Sequence, residues 1–284
     1  MGSSTPFDRF EDGSDILVGG KGDDILYGGD AGSAFGGFIY DRYRFNENFG
    51  NDFISSFYIV ETNSYGTKTK NGDFGAIDSD RIEINISFAD NANEIIENTT
   101  DNEDGWAVIQ LGDNSITLFG ISTSELKPDF FHIIPSIDNF ISGTRDDDNL
   151  IGTDENDYIE GSEIPIDRFE DGSDILVGGK GDDVLIGGTN KGSTGGWVED
   201  IYKFDDNSGK DIIIGFMAVK GSYNDVIQIK SNINDVEIID FNSLLNKTTN
   251  NSDGWAVIDL GQNNTITIHG ISKDNLSQNN FQFY

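Results

Sequence analysis

Segments of nine residues repeat through this 284-residue chain, and they constrain its fold more than any other feature. In the second half they read GTRDDDNLI, GTDENDYIE, FEDGSDILV and GGKGDDVLI, with an eight-residue insert after the second. Each repeat has mostly glycine or polar residues first, aspartate at its sixth place, and a mostly apolar end. Glycine permits the backbone conformations of a tight turn, whereas the apolar end favours a short strand. Each repeat is therefore predicted to be a turn followed by a strand.

Two such repeats, 18 residues, would make one circuit of a coil. A strand of three residues is too short to stand alone, so successive circuits must stack, with their strands forming two parallel sheets around an apolar core. The predicted fold class is all-β: a parallel β-helix, or β-roll, followed by a cap of β-strands. In this coil each turn lies over the turn two repeats earlier, so the sixth-place aspartates meet. Stacked carboxylates repel one another, and an oxygen cage of roughly six to eight ligands suits Ca²⁺.

The chain contains this arrangement twice. Asp8–Val18 recurs without change as Asp167–Val177. A second pair of similar segments is DGWAVIQLGDNSITLFGI at 104–121 and DGWAVIDLGQNNTITIHGI at 253–271. We therefore predict two tandem modules, 1–136 and 137–284, each a β-roll followed by a β cap. The first copy lacks the two upstream repeats of the second copy, so its roll is expected to be truncated at its start.

The pattern Gly-Gly-x-Gly-x-Asp-apolar-x resembles the nonapeptide of the repeats-in-toxin (RTX) proteins, whose repeats form Ca²⁺-binding parallel β-rolls. GGKGDDILY at 19–27 and GGKGDDVLI at 178–186 match at every place, whereas other repeats lack the paired glycine. The resemblance implies several Ca²⁺ ions per chain, held by sixth-place aspartates and by the glycine turns. The implied ligands are Asp15, Asp24, Asp148, Asp157, Asp174 and Asp183, with Gly20, Gly22, Gly179 and Gly181 in the turns.

Four further aspartates follow the best repeats, beyond a stretch where the pattern fades: Asp41, Asp52, Asp200 and Asp211. Each lies beside a Tyr-x-Phe strand or in a Gly-x-Asp-like passage, and RTX proteins often follow their last repeats with such passages. By this resemblance the four aspartates close the last calcium sites. The alternative is that they cap turns through hydrogen bonds from neighbouring backbone groups.

Beyond the repeats, apolar residues recur with a period of two, which is typical of half-buried strands. Asp80–Ile86 and Asp225–Ile229 show this alternation. The asparagine-rich segments 91–102 and 246–251 are predicted to be solvated loops.

A β-hairpin is predicted after these strands in each copy, and a tryptophan begins it. Trp106 opens the first hairpin and Trp255 opens the second. These side chains either bind sugar by stacking, which makes them candidate ligand-binding residues, or anchor the core of the cap. We favour the anchor, because each lies at the head of an apolar strand.

Charge and cysteine content exclude several kinds of partner. Lys and Arg number 18 and Asp and Glu number 51, so the net charge of −33 would repel nucleic acid and anionic membranes. The chain has no cysteine, so a bound metal is expected to have oxygen ligands. No apolar run is long enough to span a membrane.

Enzyme motifs are missing from the sequence. It has no GxSxG, HExxH, P-loop or dinucleotide-binding pattern. His132 and His269 do not occupy equivalent places in the two copies, which argues against a duplicated histidine-based site. We expect the chain not to be an enzyme, and any catalytic domain to lie outside it.

The leading hypothesis is a secreted bacterial calcium-binding module that serves as the structural and secretion-folding region of a larger or exported protein. The resemblance implies export by the type I secretion machinery, followed by folding in extracellular Ca²⁺. The alternative is an adhesin module that binds extracellular polysaccharide or the cell surface, with calcium as its scaffold. A polysaccharide-modifying enzyme is the third hypothesis.

Overall fold

The computed structural model describes residues 16–29, 41–63, 66–69, 79–162, 172–188, 198–218 and 224–284. Asp15, one of the implied calcium ligands, lies outside the described residues. The described residues fall into two compact units, one up to Ile134 (unit 1) and one from Pro135 onward (unit 2).

Unit 1 is built from short strands, because each strand soon meets a turn. They are β1 Ile16–Leu17, β2 Ile25–Leu26, β3 Arg42–Phe45, β4 Asn51–Ile54, β5 Val60–Asn63, β6 Gly66–Thr69, β7 Arg81–Asn85, β8 Thr99–Asp101, β9 Ala107–Leu111, β10 Asn114–Leu118 and β11 Phe131–Ile134. One sheet has the order β1-β3-β7-β11 and is wholly parallel. A second sheet, β2-β4-β10-β9-β8, is parallel as far as β10 and antiparallel beyond it. Strands β5 and β6 form a separate antiparallel pair.

Unit 2 repeats this plan with more strands. They are β12 Asn139–Ser142, β13 Asn149–Ile151, β14 Asp157–Glu160, β15 Ile175–Val177, β16 Val184–Ile186, β17 Ile201–Phe204, β18 Lys210–Ile214, β19 Val226–Ile229, β20 Thr248–Asn250, β21 Ala256–Gly261, β22 Asn264–Ile268 and β23 Phe281–Phe283. The two sheets have the orders β12-β14-β16-β18-β22-β21-β20 and β13-β15-β17-β19-β23. All neighbours pair in parallel except β20 with β21 and β21 with β22.

Helices are few and short. They are α1 Ala92–Glu97 and α2 Phe241–Asn246, with 3-10 turns at Thr123–Glu125, Pro128–Phe130, Ile233–Asp235, Lys273–Asn275 and Gln278–Asn280. None of the helices in the described ranges has the length and apolar character needed to cross a bilayer.

Consecutive repeats contribute strands to opposite sheets, as the coil predicts. Strands β12 and β14 lie in one sheet of unit 2, while β13 and β15 lie in the other. The all-β fold class with parallel sheets is therefore confirmed. Eighth-place side chains form the core between the sheets: Ile159, Leu176, Leu185 and Tyr202 are each 0% exposed.

The length of a circuit differs from the expected 18 residues in most places. Asn139 and Asp157 are 18 residues apart and lie side by side. The next stacked residue, Asp183, follows Asp157 by 26. The eight-residue insert in the sequence accounts for the difference, because it lengthens the connection without shifting the stacked strands.

The loop prediction for the asparagine-rich segments is wrong. Asn91 caps α1, with its side chain accepting a hydrogen bond from the Glu94 backbone N–H, and Ile95 packs into the core. In the second segment, α2 ends at Asn246 and β20 pairs with β21. Asparagine is favoured both in loops and at helix N-caps, and here the buried side chains of the helix decide between the two.

Candidate metal centre

Sixth-place aspartates stack from one circuit to the next along one sheet of unit 2. The backbone N–H of Asp148 donates to Oδ1 of Asp174 at 2.8 Å. The N–H of Asp174 donates to Oδ1 of Asp200 at 3.0 Å, and that of Asp200 to Oδ1 of Asp225 at 3.1 Å. We call this row the first aspartate ladder. Each carboxylate thus ties its own turn to the turn before it.

The other sheet of unit 2 carries a second aspartate ladder, formed by Asp157, Asp183 and Asp211. The N–H of Asp157 donates to Asp183 Oδ1 at 2.8 Å, and the N–H of Asp183 donates to Asp211 Oδ1 at 3.1 Å. All three side chains are almost fully buried, with exposures of 0%, 0% and 1%. The predicted nine-residue register therefore brings the expected carboxylates together.

Unit 1 has contacts of the same kind, in shorter rows of aspartates. The Asp24 N–H donates to Asp52 Oδ1 at 2.8 Å, and the Asp41 N–H donates to Asp80 Oδ1 at 2.8 Å. The carboxylate of Asp52 therefore bonds to a neighbouring circuit, not to its own turn.

Asp80 and Asp225 belong to the ladders, although their sequence pattern predicts only that they begin alternating strands. Asp225 accepts from two backbone N–H groups, those of Asp200 and Met217. Asp80 accepts from those of Asp41 and Tyr58. The available signal was an aspartate directly before an apolar strand, outside the nine-residue repeats.

One carboxylate oxygen of many ladder aspartates is buried without a hydrogen-bond donor. These oxygens are Oδ2 of Asp24, Asp52, Asp174, Asp183 and Asp211. A buried acceptor left unsatisfied costs about 1–3 kcal/mol, and more if it is charged. A positive charge beside these oxygens would therefore stabilise the folded state.

The same burial changes the acidity of the ladder. Burial is the largest cause that raises the pKa of Asp183, the Asp157 N–H lowers it, and the neighbouring carboxylates of Asp157 and Asp182 raise it, with a net pKa of about 7. Burial likewise raises the pKa of Asp174 and Asp52 to about 6 and that of Asp211 well above its ordinary value. Without a cation, the folded state thus disfavours the ionised carboxylates.

Glycine α-carbons approach these oxygens closely. A Cβ on Gly178 would lie 2.1 Å from Asp183 Oδ2, and a Cβ on Gly161 would lie 2.2 Å from Asp174 Oδ2. A Cβ on Gly152 would lie 2.0 Å from the carbonyl oxygen of Gly178. The turns are therefore packed so closely that carboxylate and carbonyl oxygens lie together, and no side chain fits between them.

The implied turn ligands take the backbone form that their repeat predicts. Gly20, Gly22, Gly179 and Gly181 have φ of 94°, 109°, 106° and 105°, a region that side chains rarely allow.

These groups fit a calcium ion. Across the described ranges, no three His, Asp or Glu side chains gather as a metal-binding group by themselves. A cation would therefore need backbone carbonyl oxygens in addition to carboxylates, a mixed set that Ca²⁺ accepts. Asp174, Asp183 and Asp211 in unit 2, with Asp24 and Asp52 in unit 1, have the buried oxygens to hold it. Bound there, Ca²⁺ would supply the positive charge that these oxygens lack.

Two implied ligands differ from the others, because threonine donors already satisfy their second oxygen. Asp148 Oδ2 accepts from the Thr144 N–H at 2.6 Å and its hydroxyl at 2.9 Å. Asp157 Oδ2 accepts from the Thr153 N–H at 2.5 Å and its hydroxyl at 3.0 Å. The role of Asp148 and Asp157 as calcium ligands stays a prediction, as does that of the other implied ligands.

The two hairpin tryptophans have different surroundings. Trp255 is 7% exposed, with its ring centroid 3.9 Å from that of His269. Trp106 is partly exposed and packs edge-on against Phe119, with the centroids 4.7 Å apart, and against Phe53 at 5.9 Å.

Comparison with known proteins agrees with this description of the turns. The family described as the RTX calcium-binding nonapeptide repeat (4 copies) matches residues 11–31, 137–163 and 170–190. The chain therefore carries RTX calcium-binding nonapeptide repeats. Repeats of this family are calcium binders and are typical of secreted bacterial proteins. No curated protein matches the chain.

One solved structure that matches is the extracellular lipase LipA from Serratia marcescens, with 18% sequence identity and a TM-score of 0.26. The match covers 96% of this chain and 38% of the lipase chain. This chain therefore spans less than half the length of that lipase.

Proposed function

We propose that this chain is a secreted calcium-binding module whose folding is driven by several Ca²⁺ ions held between its stacked turns. Its role is structural: it is the secretion-folding region of an exported protein and has no catalytic activity of its own. The observation that carries the proposal is the set of buried carboxylate oxygens without donors, on Asp24, Asp52, Asp174, Asp183 and Asp211.

The charge of the chain supports this coupling of folding to calcium. A net charge of −33 opposes compaction, and the ladders place part of that charge inside the protein. Because the unfolded chain has no preformed cage, the free energy of binding Ca²⁺ becomes free energy of folding. A chain exported by a type I system would stay unfolded in the low Ca²⁺ of the cytoplasm and fold outside the cell.

Circular dichroism of the full chain, titrated with Ca²⁺ after chelation, tests the proposal. We expect a largely disordered spectrum without Ca²⁺ and a cooperative gain of β signal on addition, because neighbouring turns share ligands. Mg²⁺ at the same concentration is the control, since it demands a smaller and more regular cage. A spectrum already rich in β-structure without Ca²⁺, with no change on titration, would contradict the proposal.

Extracellular polysaccharide is a second candidate partner, and the aromatic cluster of unit 1 favours it. The rings of Phe53, Trp106 and Phe119 lie within 6.0 Å of one another, and Phe119 is 48% exposed. If the cluster binds sugar, Phe119→Ala should abolish binding on a glycan array, whereas Phe140→Ala, which removes another exposed ring, should not. Equal binding by both variants, or no binding by the unaltered protein, would exclude this cluster as a sugar site.

A further inference from the structure

We infer that the fifth-place side chains of the repeats are positioning residues for the calcium aspartates. Their role is to hold the backbone directly before a ladder aspartate of the next circuit. The inference rests on the proposed function, because it concerns how the same calcium sites keep their shape. The fifth-place residues that the structure describes all have a side-chain oxygen, and they are Asp23, Asp147, Asn156, Ser173 and Asp182.

Two hydrogen bonds of opposite direction join stacked turns at the second aspartate ladder. The inner bond is the ladder contact, in which the Asp157 N–H of the earlier circuit donates to Asp183 Oδ1 at 2.8 Å. The outer bond runs the other way, because the Asp182 N–H of the later circuit donates to Asn156 Oδ1, also at 2.8 Å. Residues at the fifth and sixth places thus clamp the two circuits reciprocally.

The same outer bond recurs at three further pairs of turns. The donors and acceptors are the Lys210 N–H with Asp182 Oδ1, the Ser173 N–H with Asp147 Oδ1, and the Asn51 N–H with Asp23 Oδ1, each at 2.8 Å. In all four cases the donating N–H belongs to the residue directly before a ladder aspartate. These aspartates are Asp183, Asp211, Asp174 and Asp52, and each has a buried Oδ2 to which no described group donates. The outer bond therefore fixes the backbone beside the oxygens that fit a cation.

An oxygen acceptor, not a negative charge, is what the fifth place supplies to this bond. The neutral amide of Asn156 accepts at 2.8 Å, which is also the distance for the carboxylates of Asp147 and Asp182. The shorter side chain of Ser173 accepts from the Glu199 N–H at 3.3 Å. Both the presence of the oxygen and the reach of the side chain should therefore matter, whereas its charge should matter less.

Burial separates the outer side chains from the calcium ligands. Asp183 is 0% exposed, whereas Asp147 is exposed and Asp182 is half-buried. An outer side chain can therefore be replaced without removing a buried carboxylate or opening the core.

A series of substitutions at Asp182 in the full chain tests the inference. Asp182→Ala should raise the Ca²⁺ midpoint of unit 2 by about threefold to tenfold, because the Lys210 N–H loses its acceptor. Asp182→Asn keeps the acceptor and should shift the midpoint by about twofold or less. Asp182→Ser, with its shorter reach, should fall between the two. Hydrogen exchange of the β18 amides across a calcium titration measures each midpoint.

The luminescence lifetime of bound Tb³⁺ separates positioning from simple destabilisation. Tb³⁺ binds oxygen ligands as Ca²⁺ does, and its lifetime shortens with each water molecule that it coordinates. We expect a shorter lifetime in folded Asp182→Ala, because the backbone before Asp211 is held less firmly, and an unchanged lifetime in Asp182→Asn. Ile258→Val is the control: it shortens a core side chain that is 0% exposed, so it should raise the calcium midpoint without changing the lifetime.

Two results would overturn the inference in chains that calcium folds. One is equal midpoints and lifetimes for Asp182→Ala and Asp182→Asn, and the other is a lifetime that Ile258→Val shortens as much as Asp182→Ala does. If Asp182→Ala does not fold at any calcium concentration, the comparison of Asp182→Ser with Asp182→Asn decides in its place. An unaltered chain that neither folds in Ca²⁺ nor binds Tb³⁺ would count against the proposed function instead, so the two failures are distinguishable.

Discussion

Asp183→Asn should raise the Ca²⁺ concentration needed to fold unit 2 by about tenfold or more, and should make the calcium-free unit more stable. Asparagine keeps an oxygen that can accept from the Asp157 N–H, so the ladder contact survives. It removes the negative charge, and with it a strong ligand for Ca²⁺. It also removes the cost of a buried carboxylate whose pKa burial has raised to about 7. These opposite effects distinguish a ligand from a residue that only packs.

Hydrogen exchange of the β16 and β18 amides across a calcium titration measures both effects in unit 2. Asp274→Asn is the matched control, because it removes the same charge from an exposed side chain in a 3-10 turn. We expect its calcium midpoint to equal that of the unaltered protein. Equal midpoints for Asp183→Asn and Asp274→Asn would show that the ladder does not bind calcium.

The roll itself could be predicted from the sequence, because few residue types satisfy its turns. A glycine at Gly178 is required by an oxygen that would lie 2.1 Å from any Cβ, and Gly179 is required by its positive φ. Asp183 is fixed beside them by its contact with the next circuit. Such steric demands recur every nine residues, so they produce a repeated residue pattern in the sequence.

Other features depend on contacts that the pattern does not contain. Asp225 joins the first aspartate ladder by accepting from the Asp200 N–H, 25 residues earlier, although the nine-residue pattern does not extend to it. The threonine at Thr153 looks like a weak substitute for glycine, yet it donates two hydrogen bonds to Asp157. The Asp225 contact depends on the stacking of two circuits, whereas Thr153 contacts Asp157 within its own turn, at a place where the nonapeptide pattern has glycine.

Acid should substitute in part for calcium. With Ca²⁺ chelated, lowering the pH from about 8 to about 5 should increase the β signal and the free energy of unfolding. The folded-state pKa values of Asp183, Asp174 and Asp52 are about 7, 6 and 6, above the unfolded value of about 3.9. The folded chain therefore binds more protons in this range, and its stability is lost as the pH rises through 6 to 7.

In the presence of Ca²⁺, lowering the pH should instead weaken calcium-driven folding, because protons and Ca²⁺ compete for the same oxygens. Its calcium midpoint, followed by circular dichroism in a pH-insensitive chelator such as BAPTA, should rise as the pH falls. The double variant Asp174→Asn with Asp183→Asn serves as the control: it lacks two of the raised carboxylates, so its calcium-free stability should depend less on pH. A calcium-free protein that loses β-structure between pH 8 and 5.5 would mean that the buried oxygens do not need positive charge, since protons would then fail to relieve them.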